Sequence, residues 1–196
     1  MSESMQVFDE GDQNIVKPAE KGEKCPLDIE IVPFTSLPEA TQEQVARLLA
    51  AYTNGQLGEL PQMLPVSAAD IYAKHAGFTA LHGPSSALVG YVGALPPALW
   101  NGQPMCEVGS LWVSPSFRKQ GIAHAAVRTI TAHLLAAHEL PYAFCNPLSE
   151  PIFEQSGYRE ASSADVPSSA LSACSTCPLQ PAHGCCDKIL VYGGTA

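Results

Sequence analysis

Two cations and a glycine stand together in the run Arg118, Lys119, Gln120, Gly121, Ile122 and Ala123, directly before the most regular helical pattern of the chain. The first amides of a helix have no acceptor inside the helix, and the positive end of its dipole lies behind them. Such a place binds a phosphate or pyrophosphate. Gly121 lets the anion approach the backbone, and the small Ala123 keeps the first turn open. The order GxxxxGK[ST] is absent, so this is not a nucleotide P-loop. The six residues alone also fit a solvated basic turn. A second group is Cys174, Cys177, Cys185 and Cys186, with His183 among them, gathered within thirteen positions. Two thiolate pairs could close a tetrahedral structural zinc site, with His183 able to replace one of the adjacent cysteines. Reduced structural thiols and a redox-active pair are the other readings.

These residues need elements to place them. Leu27, Ile29 and Ile31 alternate with Asp28 and Glu30 as in a half-buried strand. Pro38 and Glu39 open a helix whose apolar face is Val45, Leu48, Leu49 and Tyr52, and Asn54 with Gly55 stops it. A shorter helix is expected from Ser67 to Ala76. Strands follow at Phe78–Leu81, Leu88–Leu95 and Cys106–Val113, separated by Gly-Pro, Pro-Pro and Asn-Gly dipeptides, as an antiparallel meander. From Gly121 a helix carries Ile122, Ala126, Ile130 and Leu134 on one stripe. Tyr142–Cys145 reads as a strand, Pro151–Gln155 as a brief helix, Gly157 and Tyr158 as the start of another strand, 162–185 as loop, and Lys188–Tyr192 as the last strand. A meander followed by one strand–helix–strand crossover predicts an α/β (α+β) fold, with a mixed, mainly antiparallel sheet and helices on both faces.

The segment resembles the GNAT superfamily of N-acetyltransferases. Arg118, Gly121 and Ala123 fill that family's Arg/Gln-x-x-Gly-x-Gly/Ala hallmark, and Val113 and Pro115 fill its upstream Val-x-Pro places. Asn146, followed by Pro151 to Tyr158, is similar to the family's Asn…Tyr-Glu-Lys-Leu-Gly-Phe segment. The resemblance covers about residues 27–161 and the last strand. It implies the acyl-CoA N-acyltransferase fold, with acetyl-CoA as cosubstrate. Its pantetheine arm would lie between the strands ending at Val113 and Cys145. Leu111, Trp112 and Val113 would pair with it as an added strand does. Its pyrophosphate would rest on Gln120, Gly121, Ile122 and Ala123, helped by Arg118 and Lys119. Asn146 would hold the arm from the other side; a turn residue before Pro147 is an equally good reading of that asparagine.

The implied reaction is attack of a primary amine on the thioester. An alkyl ammonium with a pKa of about 10.4 is not nucleophilic at neutral pH, so a base must take its proton. The resemblance assigns that role to Glu107, eleven residues before Arg118, where histone-type members carry a glutamate; a solvent-facing strand residue is the alternative. A backbone N–H such as that of Val113 would meet the oxyanion. Phe153 stands where many relatives place a tyrosine acid, so water, Tyr158 or Tyr142 must replace it, or the thiolate leaves unassisted. A non-catalytic acyl-CoA-binding or metal- or redox-sensing protein on the same fold is the competing reading.

Composition narrows the rest. The chain has 196 residues, 46% hydrophobic and 15% charged, with a formal net charge of −9 and only ten Lys and Arg. No basic stripe speaks for nucleic acid, and no apolar run approaches the roughly 18 residues of a membrane span. The start of the chain lacks a basic, then apolar, leader pattern, so a cytoplasmic address is expected. The expected organisation is a flexible tail at 1–26 and one acetyltransferase domain at 27–196, with the cysteine-rich loop at 174–186. The acceptor is expected to be a small-molecule amine, a protein lysine or a protein N-terminus. The oligomeric state is left open, a homodimer being one option.

Overall fold

The computed structural model describes residues 28–57, 65–83, 86–175 and 188–194. The expected tail at 1–26 and the cysteines Cys177, Cys185 and Cys186 lie outside these ranges, as does the side chain of Cys174. In chain order the elements are β1 (Ile29–Pro33), α1 (Glu39–Thr53), α2 (Ala68–Tyr72), β2 (Ala76–His82), β3 (Ala87–Ala94), β4 (Ala98–Trp100), β5 (Gln103–Val113), α3 (Ile122–Ala136), β6 (Leu140–Cys145), α4 (Glu150–Glu154), β7 (Tyr158–Ala161), α5 (Ser168–Ser175) and β8 (Lys188–Tyr192).

The strands form one sheet in the order β1-β2-β3-β5-β6-β8-β7, with β4 paired to β5. Every pairing is antiparallel except β5–β6. The crossover through α3 makes that one parallel pair, as a strand–helix–strand unit must. Alternation along the strands separates two faces. Val92, Ala94, Cys106 and Val108 pack with Ala126, Val127, Ile130 and Leu134 of α3. Tyr91 and Trp112 face the other way and pack with Val45, Leu49 and Tyr52 of α1 and Ile71 of α2. The predicted α3 stripe is therefore core: Ile122, Ala126, Ile130 and Leu134 are all buried.

Three details differ from the sequence expectation. The helix expected from Ser67 to Ala76 ends at Tyr72. Ser67 and Asp70 form a capping box that starts it, but Ala76 is taken by the β2 ladder opposite Ala94. The short strand β4 escaped notice because Asn101 and Gly102 act as the turn of a hairpin, with φ of 48° and 81°, as a primed two-residue turn requires. Residues 162–185 are not all loop. A single turn at Ser163–Asp165 is capped by Ser162, and α5 follows. Val166, just before α5, and Ala170 and Leu171 within it pack with Met105 and Tyr142, a sparse pattern hidden among serines.

Ile130 is fully buried between α3 and the sheet. Ile130→Ala should cost about 2–5 kcal/mol by leaving a cavity that close packing cannot fill, read as a lower urea midpoint with unchanged slope.

Candidate functional site

The parallel ladder between β5 and β6 is three pairs long: Met105 with Leu140, Cys106 with Pro141, and Glu107 with Tyr142. Both strands continue, β5 to Val113 and β6 to Cys145, without pairing to each other. The cause lies on the other side of β5. Against β3 the register runs from Gly93 opposite Gly109 to Tyr91 opposite Trp112, so β5 carries one extra residue there. Ser110 absorbs it with φ of 53°. A bulge of this kind bends its strand and increases the local twist. Beyond Glu107 β5 turns away from β6, and a cleft of about 740 Å³ opens between them.

The sequence-predicted residues Glu107, Leu111, Trp112, Val113, Arg118, Lys119, Gly121, Ile122, Ala123, Asn146 and Phe153 all line this cleft. Gln120 does not; its carboxamide donates to the Ser116 carbonyl at 3.2 Å. Gly121 is the N-cap of α3 with φ of 81°, and a Cβ placed on it would meet nothing within 4 Å. The backbone turn requires glycine, and the space beside it is open to a ligand. The opening amides of α3 border that space. Arg118 and Lys119 are exposed at its rim, and the Arg118 guanidinium also donates to the Val113 carbonyl at 3.0 Å, pinning the end of β5. The imidazole of His124, in the first turn of α3, ends in a buried Nε2 with no hydrogen-bond partner, a feature its sequence context did not flag.

Asn146 serves the turn: its side-chain oxygen accepts from the backbone N–H groups of Leu148 and Ser149 at 3.0 and 2.9 Å, at the start of α4. Phe153 is buried and meets the ring of Tyr158 edge-on at 5.0 Å. Tyr158 does not line the cleft; its hydroxyl is 2.7 Å from that of Thr131, and burial raises its pKa. Tyr142 is likewise buried, its pKa raised by burial and by the charge of Glu107. Neither tyrosine is among the residues that line the cleft with Phe153.

At the other end of the cleft, sequence reasoning missed Lys74, which follows α2 and has no motif around it. Burial raises the pKa of Glu107 above the ordinary carboxyl range, against the opposing attraction of Lys74. Burial lowers that of Lys74, with Glu107 and then Asp70 opposing. Tyr52, Val66 and Leu95 supply apolar wall around them. A neighbouring hollow of about 500 Å³ shares Tyr52 and Trp112 but offers no charged side chain.

A further polar group sits on the α3 face: His75 Nε2 lies 3.0 Å from Glu139 Oε2, and the Cys106 thiol donates to the same oxygen at 3.3 Å. Burial pushes the Cys106 thiol up to about 12, with Glu139 adding to the shift. The thiol is thus a proton donor at neutral pH, and the group is a hydrogen-bonded network.

The chain matches the model of the Acetyltransferase (GNAT) family over residues 43–158. Among solved structures it is similar in fold to an acetyltransferase of Trypanosoma brucei (22% identity, TM-score 0.51, 69% of this chain and 95% of that one). A GNAT-family acetyltransferase of Staphylococcus aureus gives 13% identity and a TM-score of 0.55 over 84% of this chain and 98% of that one. N-acetylglutamate synthase of Neisseria gonorrhoeae, complexed with coenzyme A and N-acetyl-glutamate, gives 15% identity and a TM-score of 0.58 over 84% of this chain and 34% of that one. No curated protein matches the chain.

The groups facing Glu107 from the elements around it are Lys74 and Tyr142. A carboxyl whose pKa is raised on folding contributes stability below its unfolded pKa and loses it as pH rises through the folded value. Glu107→Gln should therefore raise the melting temperature at pH 7 and leave it nearly unchanged at pH 4, measured by calorimetry.

Proposed function

Since the chain belongs to the GNAT family of acetyltransferases, we propose that it transfers an acetyl group from acetyl-CoA to a primary amine by direct attack of the amine on the thioester. The observation that carries this reading is the free edge of β5 beyond Glu107, which faces the cleft and ends at the N-terminus of α3. An unpaired strand edge is a template for strand-like pairing, and the amides of a pantetheine arm present the complementary donors and acceptors. Leu111, Trp112 and Val113 offer that edge. The amides of Gly121, Ile122 and Ala123 receive the pyrophosphate, with Arg118 and Lys119 at the rim and Gln120 contributing through its main chain. Phe153 and Asn146 form the opposite wall.

The thioester supplies an activated acyl carbon and a thiolate leaving group whose thiol pKa of about 8.5 lets it depart without an acid. Glu107 takes the proton of the incoming ammonium. Its burial suits the task, because a base whose pKa is raised toward the working pH holds a proton better than an exposed carboxylate. The apolar wall of Tyr52, Val66 and Leu95 assists by making the charged ammonium less favourable. The gonococcal structure was obtained with coenzyme A, which supports an acyl-CoA in this cleft.

Acetyl-CoA should raise the melting temperature of the protein, as any ligand of the native state does. Gly121→Glu should abolish that shift by placing a negative side chain where phosphate rests, and Lys119→Glu should weaken it. An unaltered shift in folded Gly121→Glu protein would overturn the assignment. In a thiol-release assay with a panel of amines, Glu107→Gln should lower kcat roughly 10²–10⁴-fold at pH 7 and recover in part at high pH, where free amine is already present. Full activity of this variant at pH 7 would remove Glu107 from the chemistry.

A further inference from the structure

The acceptor end of the cleft is lined by a cation as well as an anion, and both stand on a floor without side chains. Gly77, Gly93 and Gly109 are aligned across β2, β3 and β5 as successive register partners. Register partners present the same face of a sheet, so the three together bare a strip of backbone on the face of α1 and α2. A Cβ at Gly93 would lie 3.2 Å from Cγ of Lys74, so the lysine stem runs over that glycine. A Cβ at Gly109, opposite Gly93, would lie 3.9 Å from Oε1 of Glu107, so the carboxylate stands beside its partner. The lysine stem and the carboxylate therefore lie beside partnered positions on neighbouring strands, whose spacing is roughly 5 Å. Tyr91 joins them. Its hydroxyl would lie 3.0 Å from the same Cβ at Gly93, and it is buried with no hydrogen-bond partner.

Neither charge has a direct contact partner, although Lys74 and Glu107 attract one another and Asp70 also attracts Lys74 from a distance. Lys74 and Glu107 are both partly buried, yet among the described residues neither makes an ion pair or a side-chain hydrogen bond. Withdrawn charges are normally paired or hydrogen-bonded. A simple alkyl ammonium docking at Glu107 would bring a second cation beside Lys74, an arrangement that repulsion disfavours in a partly dry cleft. An acceptor that carries its own carboxylate close to its amine removes the conflict: ammonium to Glu107, carboxylate to Lys74.

We infer that the acceptor is an amino acid, a small molecule with a free carboxylate within a few bonds of its primary amine, and that Lys74 holds this carboxylate over the Gly93–Gly109 floor while Glu107 takes the proton of the amine. This rests on the acetyl-transfer reading and narrows it. It leaves out polyamines and simple alkylamines, which lack the anion, and protein N-termini, whose adjacent carboxyl is tied up in a peptide bond. The apolar lining from Tyr52, Val66 and Leu95 suits side chains without charge.

The test compares matched pairs of acceptors, such as leucine with isoamylamine and phenylalanine with phenethylamine, in the thiol-release assay with acetyl-CoA, alongside melting shifts caused by each acceptor alone. The expected result is a kcat/KM at least tenfold higher for the acid of each pair, the size of effect given by one hydrogen-bonded ion pair. Lys74→Met should reduce the acid-to-amine ratio at least tenfold, mainly through KM, and Lys74→Arg should restore much of it. The acetyl-CoA melting shift should persist in both variants, which separates loss of the acceptor site from loss of fold. Equal or better use of the bare amines by the native protein would overturn the inference while leaving acetyl transfer intact. So would a Lys74→Met variant that depresses acid and amine alike, since the lysine would then serve only to balance Glu107. Absence of both turnover and melting shift with every amino acid would overturn it too, and a missing acetyl-CoA shift would instead strike at the function itself.

Discussion

The structure depends on one interruption. A central strand of a sheet normally uses both edges, and a buried edge with unpaired N–H and C=O groups is costly. Here β5 gives up one edge beyond Glu107, because the bulge at Ser110 steers it away from β6 while keeping its pairing to β3. What would be a defect inside a core becomes a cleft, with backbone groups on one wall and α3 at its far end. The parallel crossover is essential to this geometry. A hairpin would bring β5 and β6 together in opposite directions, whereas the passage through α3 sets them side by side and places the helix N-terminus just past the point where they part.

Electrostatics divides the cleft into two ends that want different things. At one end exposed cations, helix amides and the open space beside Gly121 provide for an anion at modest cost, since water still reaches Arg118 and Lys119. At the other end a lysine and a glutamate are withdrawn from water without a direct partner, and both are pushed toward their neutral forms by burial. Charges held that way do little for the fold; the glutamate costs stability once ionised. Perturbed titration in a cleft is a mark of a working site, and here it coincides with the geometry.

The features legible in the sequence were those with a strong local signature. The α3 stripe follows a helical period over fifteen residues, and the turn before it announces itself through Arg118 and Gly121. The strands of the meander are bounded by Gly, Pro and Asn. The missed features have their cause elsewhere in the chain. Lys74 matters because a glycine on another strand lets its stem lie flat, and nothing within several residues of Lys74 encodes that. The short β4 and α5 have too few apolar residues to show a period, and both are held by distant contacts, such as the Trp100 indole donating to the Ala164 carbonyl at 2.9 Å. Asn146 fits a ligand contact or a turn equally well on paper; in the structure its side-chain oxygen accepts from two turn amides while the residue also lines the cleft.

The position of β8 has a consequence for how the molecule comes into being. It follows every other described strand in the chain, yet it lies inside the sheet, between β6 and β7. Until it is synthesised, β6 has only the three-pair ladder to β5, and β7 has no neighbouring strand. A growing chain can pair β2, β3, β4 and β5 as they emerge, because those strands are neighbours in sequence. One wall of the cleft cannot be fixed on that schedule. The nascent protein therefore carries an open seam between β6 and β7 until β8 fills it.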